Sequence, residues 1–431
     1  MQRNIVCLAA LVLISVSSLF AQEVQVVQTT PDLHEAMQPQ RRLRFTPVEK
    51  SSLRIEVNDE HRFQEIDGFG ASLTDSAAWL IYTKLDDKQR QVAMRDLFDP
   101  VRGIGLGMVR QPMGSSDLAL NHYSYDDLPT GQTDPELKHF SIQHDEAYIL
   151  PLLREARKLN PQLKVIATPW SAPGWMKTSN SLVGGSVMPS SFPAFANYFV
   201  KFIQAYEHAG VPIYGLTMQN EPLYVPGDYP GSEMHSDAEN AFLKNHLGPA
   251  LLRENIQAKI MVYDHNWDHP EYPATILSDP QAATFAAGTA FHCYGGEVKA
   301  QNLIHERFPA KDIWETECSG GTWQTGNVLA EESRLIIDST REWARSVVLW
   351  SMALDQKNGP NSGGCATCRG VLTVNTNSPI SVTHTLDYYV LGHVSKFVRP
   401  GARRIESSSF PGKLENVAFR NSDGSIRAQS R

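Results

Sequence analysis

Lys164-Val165-Ile166-Ala167-Thr168, then a stripe of Phe195, Phe199, Phe202, Ile203 and Tyr206, then Tyr214-Gly215-Leu216-Thr217-Met218 decide the fold. The two outer runs are short and apolar, as strands buried on both faces are. The aromatic stripe recurs at i, i+4, i+7 and i+8, which is one face of a helix. Strand, helix and strand in that span form a parallel βαβ unit. The alternation continues outward. Further strands are read near Glu65–Phe69, Gly105–Arg110, Ile260–Tyr263, Thr289–Tyr294, Asp312–Glu317 and Ser346–Ser351. Ile149, Leu152, Leu153, Ala156 and Leu159 mark another amphipathic helix. Eight such units predict an α/β fold of the (β/α)8 TIM-barrel type, with the fifth and sixth helices least marked. An open doubly wound sheet is the alternative, but no G-x-G-x-x-G follows the first strand.

The flanks read differently. Leu53, Ile55 and Val57 alternate within Ser52–Val57. Ala402–Glu406 and Leu414–Phe419 are also strand-like, and Asn421-Ser422-Asp423-Gly424 is a hairpin turn. Ser425–Arg431 has little apolar alternation. The expected organisation is a barrel over 60–397, a small, partial β-domain from 51–59 plus 398–431, and an N-terminal extension over 22–50. At the start, Arg3, the apolar run Ile5–Ile14 and Ala21 read as a signal peptide over 1–21. The run is short of the ~20 residues that span a bilayer. No second such run is seen, so a secreted or periplasmic protein without a transmembrane segment is expected once the signal is removed.

The 431 residues, 42% hydrophobic and 20% charged, suit a globular barrel with a small second domain and exclude a collagen-like or disordered chain. The net charge of −8 argues against a nucleic-acid partner. The basic cluster Arg41-Arg42-Leu43-Arg44 reads as a solvated face. Cys7 falls in the signal, leaving Cys293, Cys318, Cys365 and Cys368. Cys365-Ala366-Thr367-Cys368 is a lone C-x-x-C, whereas a structural zinc site wants four ligands. A local disulfide is expected there, with a free dithiol and a metal site as alternatives. The state of Cys293 and Cys318 is left open.

Barrels of this type place reactive groups at the C-terminal ends of the strands. The fourth strand ends Thr217-Met218-Gln219-Asn220-Glu221-Pro222 and the seventh Trp314-Glu315-Thr316-Glu317-Cys318. Glu221 and Glu317 would face each other across the barrel mouth, and glycoside hydrolysis needs such a pair. By strand alternation Glu315 also points inward, at a deeper level. Asn220 is placed to bond a sugar hydroxyl. Trp170, Trp175, Trp267, Trp314, Trp323 and Trp350 lie at or beside strand ends, either as a stacking rim for a saccharide or as packing. Asp75 is placed to cap the helix after the first strand.

Asp67-Gly68-Phe69-Gly70-Ala71-Ser72-Leu73-Thr74-Asp75, Thr168-Pro169-Trp170-Ser171-Ala172-Pro173-Gly174-Trp175-Met176-Lys177, Gln219-Asn220-Glu221-Pro222, Thr316-Glu317-Cys318 and Leu391–Phe397 together resemble glycoside hydrolase family 30, the glucosylceramidase family, from about residue 50 to about residue 400. The resemblance implies a retaining β-glycosidase. It gives Glu221 as acid/base and Glu317 as nucleophile, with Arg110 beside Glu317 to keep it ionised. Asp117, Trp170, Asn220 and Trp350 match sugar contacts, and Tyr294 matches the tyrosine that touches the nucleophile. His292 is read as a structural hydrogen-bonding residue. Neither a metal nor a cofactor is implied. The partner is a β-linked saccharide or a glycolipid, with β-glucose the sugar. Glucosylceramidase-like β-glucosidase activity is the first expectation. Endo-β-1,6-glucanase and β-xylosidase or xylanase activity are alternatives, and a non-catalytic sugar-binding protein is the rival from another class. Asp355–Val371 looks like the microbial members, including β-1,6-glucanases, rather than the animal ones, which leaves the aglycone open. The family's C-terminal β-domain is longer than the stretch here, so a bare barrel-side face and lowered solubility or stability are expected.

Overall fold

The computed structural model of the chain describes residues 23–45 and 53–431. The signal expected over 1–21 lies outside them. Eight parallel strands close into a barrel: β1 (Gly68–Ser72), β2 (Met108–Pro112), β3 (Lys164–Thr168), β4 (Gly215–Thr217), β5 (Lys259–Asn266), β6 (Ala286–His292), β7 (Asp312–Cys318) and β8 (Ala344–Leu349). The seam is β8 on β1, with Ser346 opposite Gly68 and Leu349 opposite Ala71. At the β1–β2 contact the strands approach so closely that a Cβ on Gly70 would lie 1.7 Å from the Met108 carbonyl oxygen, which only glycine tolerates.

The barrel is filled, not hollow. Met108, Ile166, Met261, Ala290, Trp314 and Val348 pack together inside it. Below them, Asp67 accepts from Trp314 Nε1 at 2.8 Å, Lys164 at 2.5 Å and Arg345 at 2.9 Å. The helices form the outer layer. Ile149–Leu159 buries Ile149, Leu152, Leu153 and Ala156, and Phe192–His208 buries the whole Phe195-to-Tyr206 stripe. The fifth and sixth helices are short, Glu271–Ser278 and Lys299–Arg307, which is why their periodicity was faint. Thr74, not Asp75, caps the first helix, because its side chain accepts from the Ala77 amide. Asp75 is instead held in the barrel wall by His144, Tyr148 and the Leu120 amide.

The side domain is an antiparallel sheet of Val57–Glu65, Arg403–Ser407, Asn416–Arg420 and Ile426–Ser430, in that spatial order. Its first strand begins where the alternation at Ser52–Val57 ends; in place of apolar alternation, pairing with Arg403–Ser407 defines it. The sheet docks through Phe419 on Phe69 and through Arg341, which donates to the Asn416 and Ser407 carbonyls. Ile426–Ser430 is an edge strand with mostly exposed side chains. Residues 23–45 of the extension form short ladders, Glu23–Val24 on Leu43–Arg44 and Val27–Gln28 on Gln38–Pro39, and Thr29 bonds His393 at 2.7 Å. No helix among the described residues is long and apolar enough to cross a membrane.

Candidate active site

At the C-terminal ends of the strands lies a cavity of about 460 Å³. Asp117, Trp170, Asn220, Glu221, Tyr294, Glu317 and Trp350 all line it. The seven residues picked from sequence as catalytic or substrate-binding therefore meet in one place. Arg110 is completely buried beneath them.

Each carboxylate owes its direction to a local break in regularity. Glu221 follows β4 with φ +44, a left-handed conformation that a non-glycine residue adopts at a cost of about 1–3 kcal/mol. Its amide donates to the Asp264 carbonyl at 3.0 Å. On β7 the pairing register slips on either side of Glu315. Trp314 faces the barrel interior, and Glu315 turns to the helix layer, where Gln301 and the Trp267 indole bond it at 2.8 and 3.1 Å. The slip then brings both Thr316 and Glu317 into the mouth, so the expected inward Glu315 is overturned by a bulge. Burial pushes the Glu315 carboxyl well above its ordinary range.

Glu317 Oε2 accepts from Arg110 at 2.5 Å, and Oε1 accepts from the Tyr294 hydroxyl at 2.8 Å. Arg110 also donates to Asn220 at 2.7 Å and to Asp264 at 2.8 Å, and lies 4.8 Å from the Trp170 ring. Trp170 and Trp350 stack at 4.9 Å. His292 reaches Glu221 at 3.3 Å through Nδ1 and Asp264 at 3.1 Å through Nε2. One oxygen each from Glu221 and Glu317 and a nitrogen of His292 all lie within 4.8 Å of one another. Such a trio has the donor set for a cation, but Arg110 already places a fixed charge on Glu317.

Asp264 is the residue that sequence reading missed. Tyr263 and Asp264 both have positive φ, at +78 and +62, and the β5 register shifts there. Asp264 is thereby turned inward to join Arg110, His292, Thr217 and Thr316. The available signal was its place just past the run Ile260–Tyr263, at a strand end.

The electrostatics follow from this packing. Burial works against charge on Asp264, but Arg110 and His292 hold its carboxyl well below the ordinary range. Burial pulls His292 down, yet the charges of Glu317 and Asp264 push it up to about 10. Glu221 is buried too, and the His292 hydrogen bond and charge draw it below its usual value. Burial and the charge of Glu221 hold Glu317 up, against His292, Arg110 and Tyr294. Asp117 is pushed up to about 7 by burial and by Glu317.

The aromatic rim is smaller than expected. Trp170, Trp323 and Trp350 line the cleft. Trp175 bonds Asp126, Trp267 bonds Glu315, and Trp314 fills the barrel, so these three serve packing. Among the described residues there are two disulfides. Cys365–Cys368 closes a loop of the cleft wall, where the Cys365 amide reaches Asp117 Oδ2 at 3.3 Å. Cys293–Cys318 ties β6 to β7.

A closed barrel with two opposed carboxylates and stacked tryptophans at its mouth defines a glycosidase. A family model described as the glycosyl hydrolase family 30 TIM-barrel domain matches residues 66–398, and the chain belongs to that family. It is 33% identical over 404 residues to an endo-1,6-beta-D-glucanase of Neurospora crassa, covering 89% of this chain and 82% of that one. It is 29% identical over 409 residues to the lysosomal acid glucosylceramidase of Mus musculus, covering 87% and 76%. The solved structure of an endo-beta1,6-glucanase superposes with a TM-score of 0.86 at 31% identity, over 94% of this chain and 90% of the other.

Proposed function

We propose that the chain is a retaining endo-β-1,6-glucanase, with Glu317 as nucleophile and Glu221 as acid/base. The separation of the two carboxylates carries the mechanism. Retaining glycosidases hold them about 5–5.5 Å apart, whereas inverting ones leave room for a water at about 6.5–9.5 Å. Here one oxygen of each comes within 4.8 Å of the other, a nearest-atom approach that supports the shorter spacing. Arg110 and Tyr294 each donate to one oxygen of Glu317, which favours its anion. Glu221 is the more exposed of the two, 16% against 7%, so a sugar ring entering the cleft strips more water from it and raises its affinity for a proton. Glu221 then protonates the glycosidic oxygen while Glu317 attacks the anomeric carbon. In the second half Glu221 takes a proton from water, which releases the β-sugar. Trp170 and Trp350 present faces to the ring, and Asp117 and Asn220 bond its hydroxyls.

The choice of glucan rests on the relatives. Three fungal endo-1,6-β-D-glucanases are 32–33% identical over most of this chain. This moves β-1,6-glucan ahead of the glucosylceramide expected first from the motifs. Glucosylceramide remains the second reading, supported by putative glucosylceramidases of Caenorhabditis elegans at up to 32% identity. Action outside the cytoplasm is supported by the two disulfides. Parallel assays on β-1,6-glucan, glucosylceramide and an aryl β-glucoside, with the anomeric configuration of the first product followed by NMR, test the proposal. Internal cleavage of β-1,6-glucan with β-product is expected. An α-anomer first product would overturn the mechanism, and cleavage of glucosylceramide alone would overturn the substrate.

A further inference from the structure

We infer that the Cys293–Cys318 disulfide is a clamp that positions Tyr294 against Glu317 and thereby sets the rate of the chemical step. The inference rests on Glu317 as nucleophile. His292 and Glu317 are the last paired residues between β6 and β7. The residue just past β6 is Cys293, and the last residue of β7 is Cys318; the bridge between them, with Cα atoms 5.3 Å apart, stands where the next rung would be. Tyr294 follows at once, and two glycines come after it, Gly296 with φ +81. Tyr294 is 44% exposed. Its amide bonds Asn266 Oδ1 at 3.1 Å and its hydroxyl bonds Glu317 at 2.8 Å. A ring at the start of a glycine turn, past the end of a ladder, has few anchors, and here they are these two hydrogen bonds and the bridged neighbour. The disulfide fixes that neighbour to the residue after the nucleophile.

The residues that line the cleft include Cys365 and Cys368 but neither Cys293 nor Cys318. Loss of the clamp therefore leaves the cleft contacts of Asp117, Trp170, Asn220 and Trp350 in place, and its effect through Tyr294 is told apart from a direct backbone effect on Glu317 by the triple variant below. A hydroxyl that donates to a carboxylate stabilises the anion, so a wandering Tyr294 makes Glu317 easier to protonate.

The test compares wild type, Cys293→Ser/Cys318→Ser, Tyr294→Phe and the combined triple variant, each assayed across pH on the β-glucoside or glucan that the wild type cleaves. The double cysteine variant is expected to lose about tenfold in kcat with KM within about twofold, and to move its acid limb to higher pH. The triple variant is expected to be no slower than Tyr294→Phe, since both changes remove one interaction. Losses that multiply independently, or a lowered Tm with an unmoved acid limb, would overturn the clamp in favour of a purely structural bridge. Should the serines prevent folding, Cys293→Ala/Cys318→Ala gives the same readouts. A crystal structure of the cysteine variant with Tyr294 still bonded to Glu317 would overturn the clamp whatever the turnover. A wild type inactive on every β-glucoside would instead overturn the reading of the site.

Discussion

Glu317 has a donor on each oxygen, and the removal of its charge leaves Arg110 still bound to Asp264 and Asn220. Glu317→Gln is therefore expected to fold with a near wild-type Tm and to lose roughly 10⁴-fold or more in kcat. Residual turnover within about a hundredfold of wild type would move the nucleophile to another group. His292 sits between the carboxyls as their shared positive charge, 3.3 Å from Glu221. His292 lowers the pKa of both Glu221 and Glu317. In His292→Gln both should titrate higher, so the whole bell of kcat/KM against pH shifts alkaline by about one unit or more. A bell that stays in place, or moves to acid, would remove His292 from the charge balance.

Among the elements, the cleft wall formed by the Cys365–Cys368 loop is the most exacting. Gly364 has φ +67, and a Cβ there would lie 2.4 Å from Asp117 Cβ. Gly364→Ala should displace Asp117 and raise KM about tenfold, with little change in Tm because the loop lies at the surface. Unchanged KM would mean that Asp117 does not bind the sugar. The strands themselves were legible because eight apolar runs separated by helical stripes leave few alternatives to a closed barrel. The bulges in β5 and β7 were not. Period-2 reasoning assigns Glu315 to the interior and stops the fifth strand at Tyr263, yet left-handed residues and register slips there turn Asp264 onto Arg110 and His292 beneath the cleft and aim Glu317 into it. Such breaks depend on contacts with neighbouring strands, which no single stretch of sequence records. The Cys293–Cys318 bridge was hidden for the same reason, since its partners meet only once the strands lie side by side.

For the molecule as a whole, buried acids shape the response to pH. Burial raises Asp117, Glu239 and Glu332 to about 7 and Asp145 to about 6. The native state keeps these protons where the unfolded chain has lost them, so stability falls as pH rises from about 4 through about 7. The raised His292 continues the fall to about 10, and Lys177, which burial lowers to about 7, works against it over the same alkaline range. Below about pH 4 the depressed Asp67 and Asp264 must be protonated, which removes their stabilisation. Calorimetry across pH 3–9 should therefore find the highest Tm between about pH 4 and 6; a maximum above pH 8 would mean that the buried acids are not protonated as described.

The seam of the barrel and the lateral sheet have a shared consequence for biosynthesis. Asn58 meets Glu406 across 348 positions, and Ser346 on β8 completes the ring against Gly68 on β1. A growing polypeptide emerging from the ribosome can finish neither closure until its far portion has been translated. Translation interrupted before Glu317 would yield a piece with Glu221 alone, and translation interrupted between Glu317 and β8 would yield both acids on a ring that is not closed. Turnover should thus arise abruptly, late in synthesis, rather than in proportion to the length made.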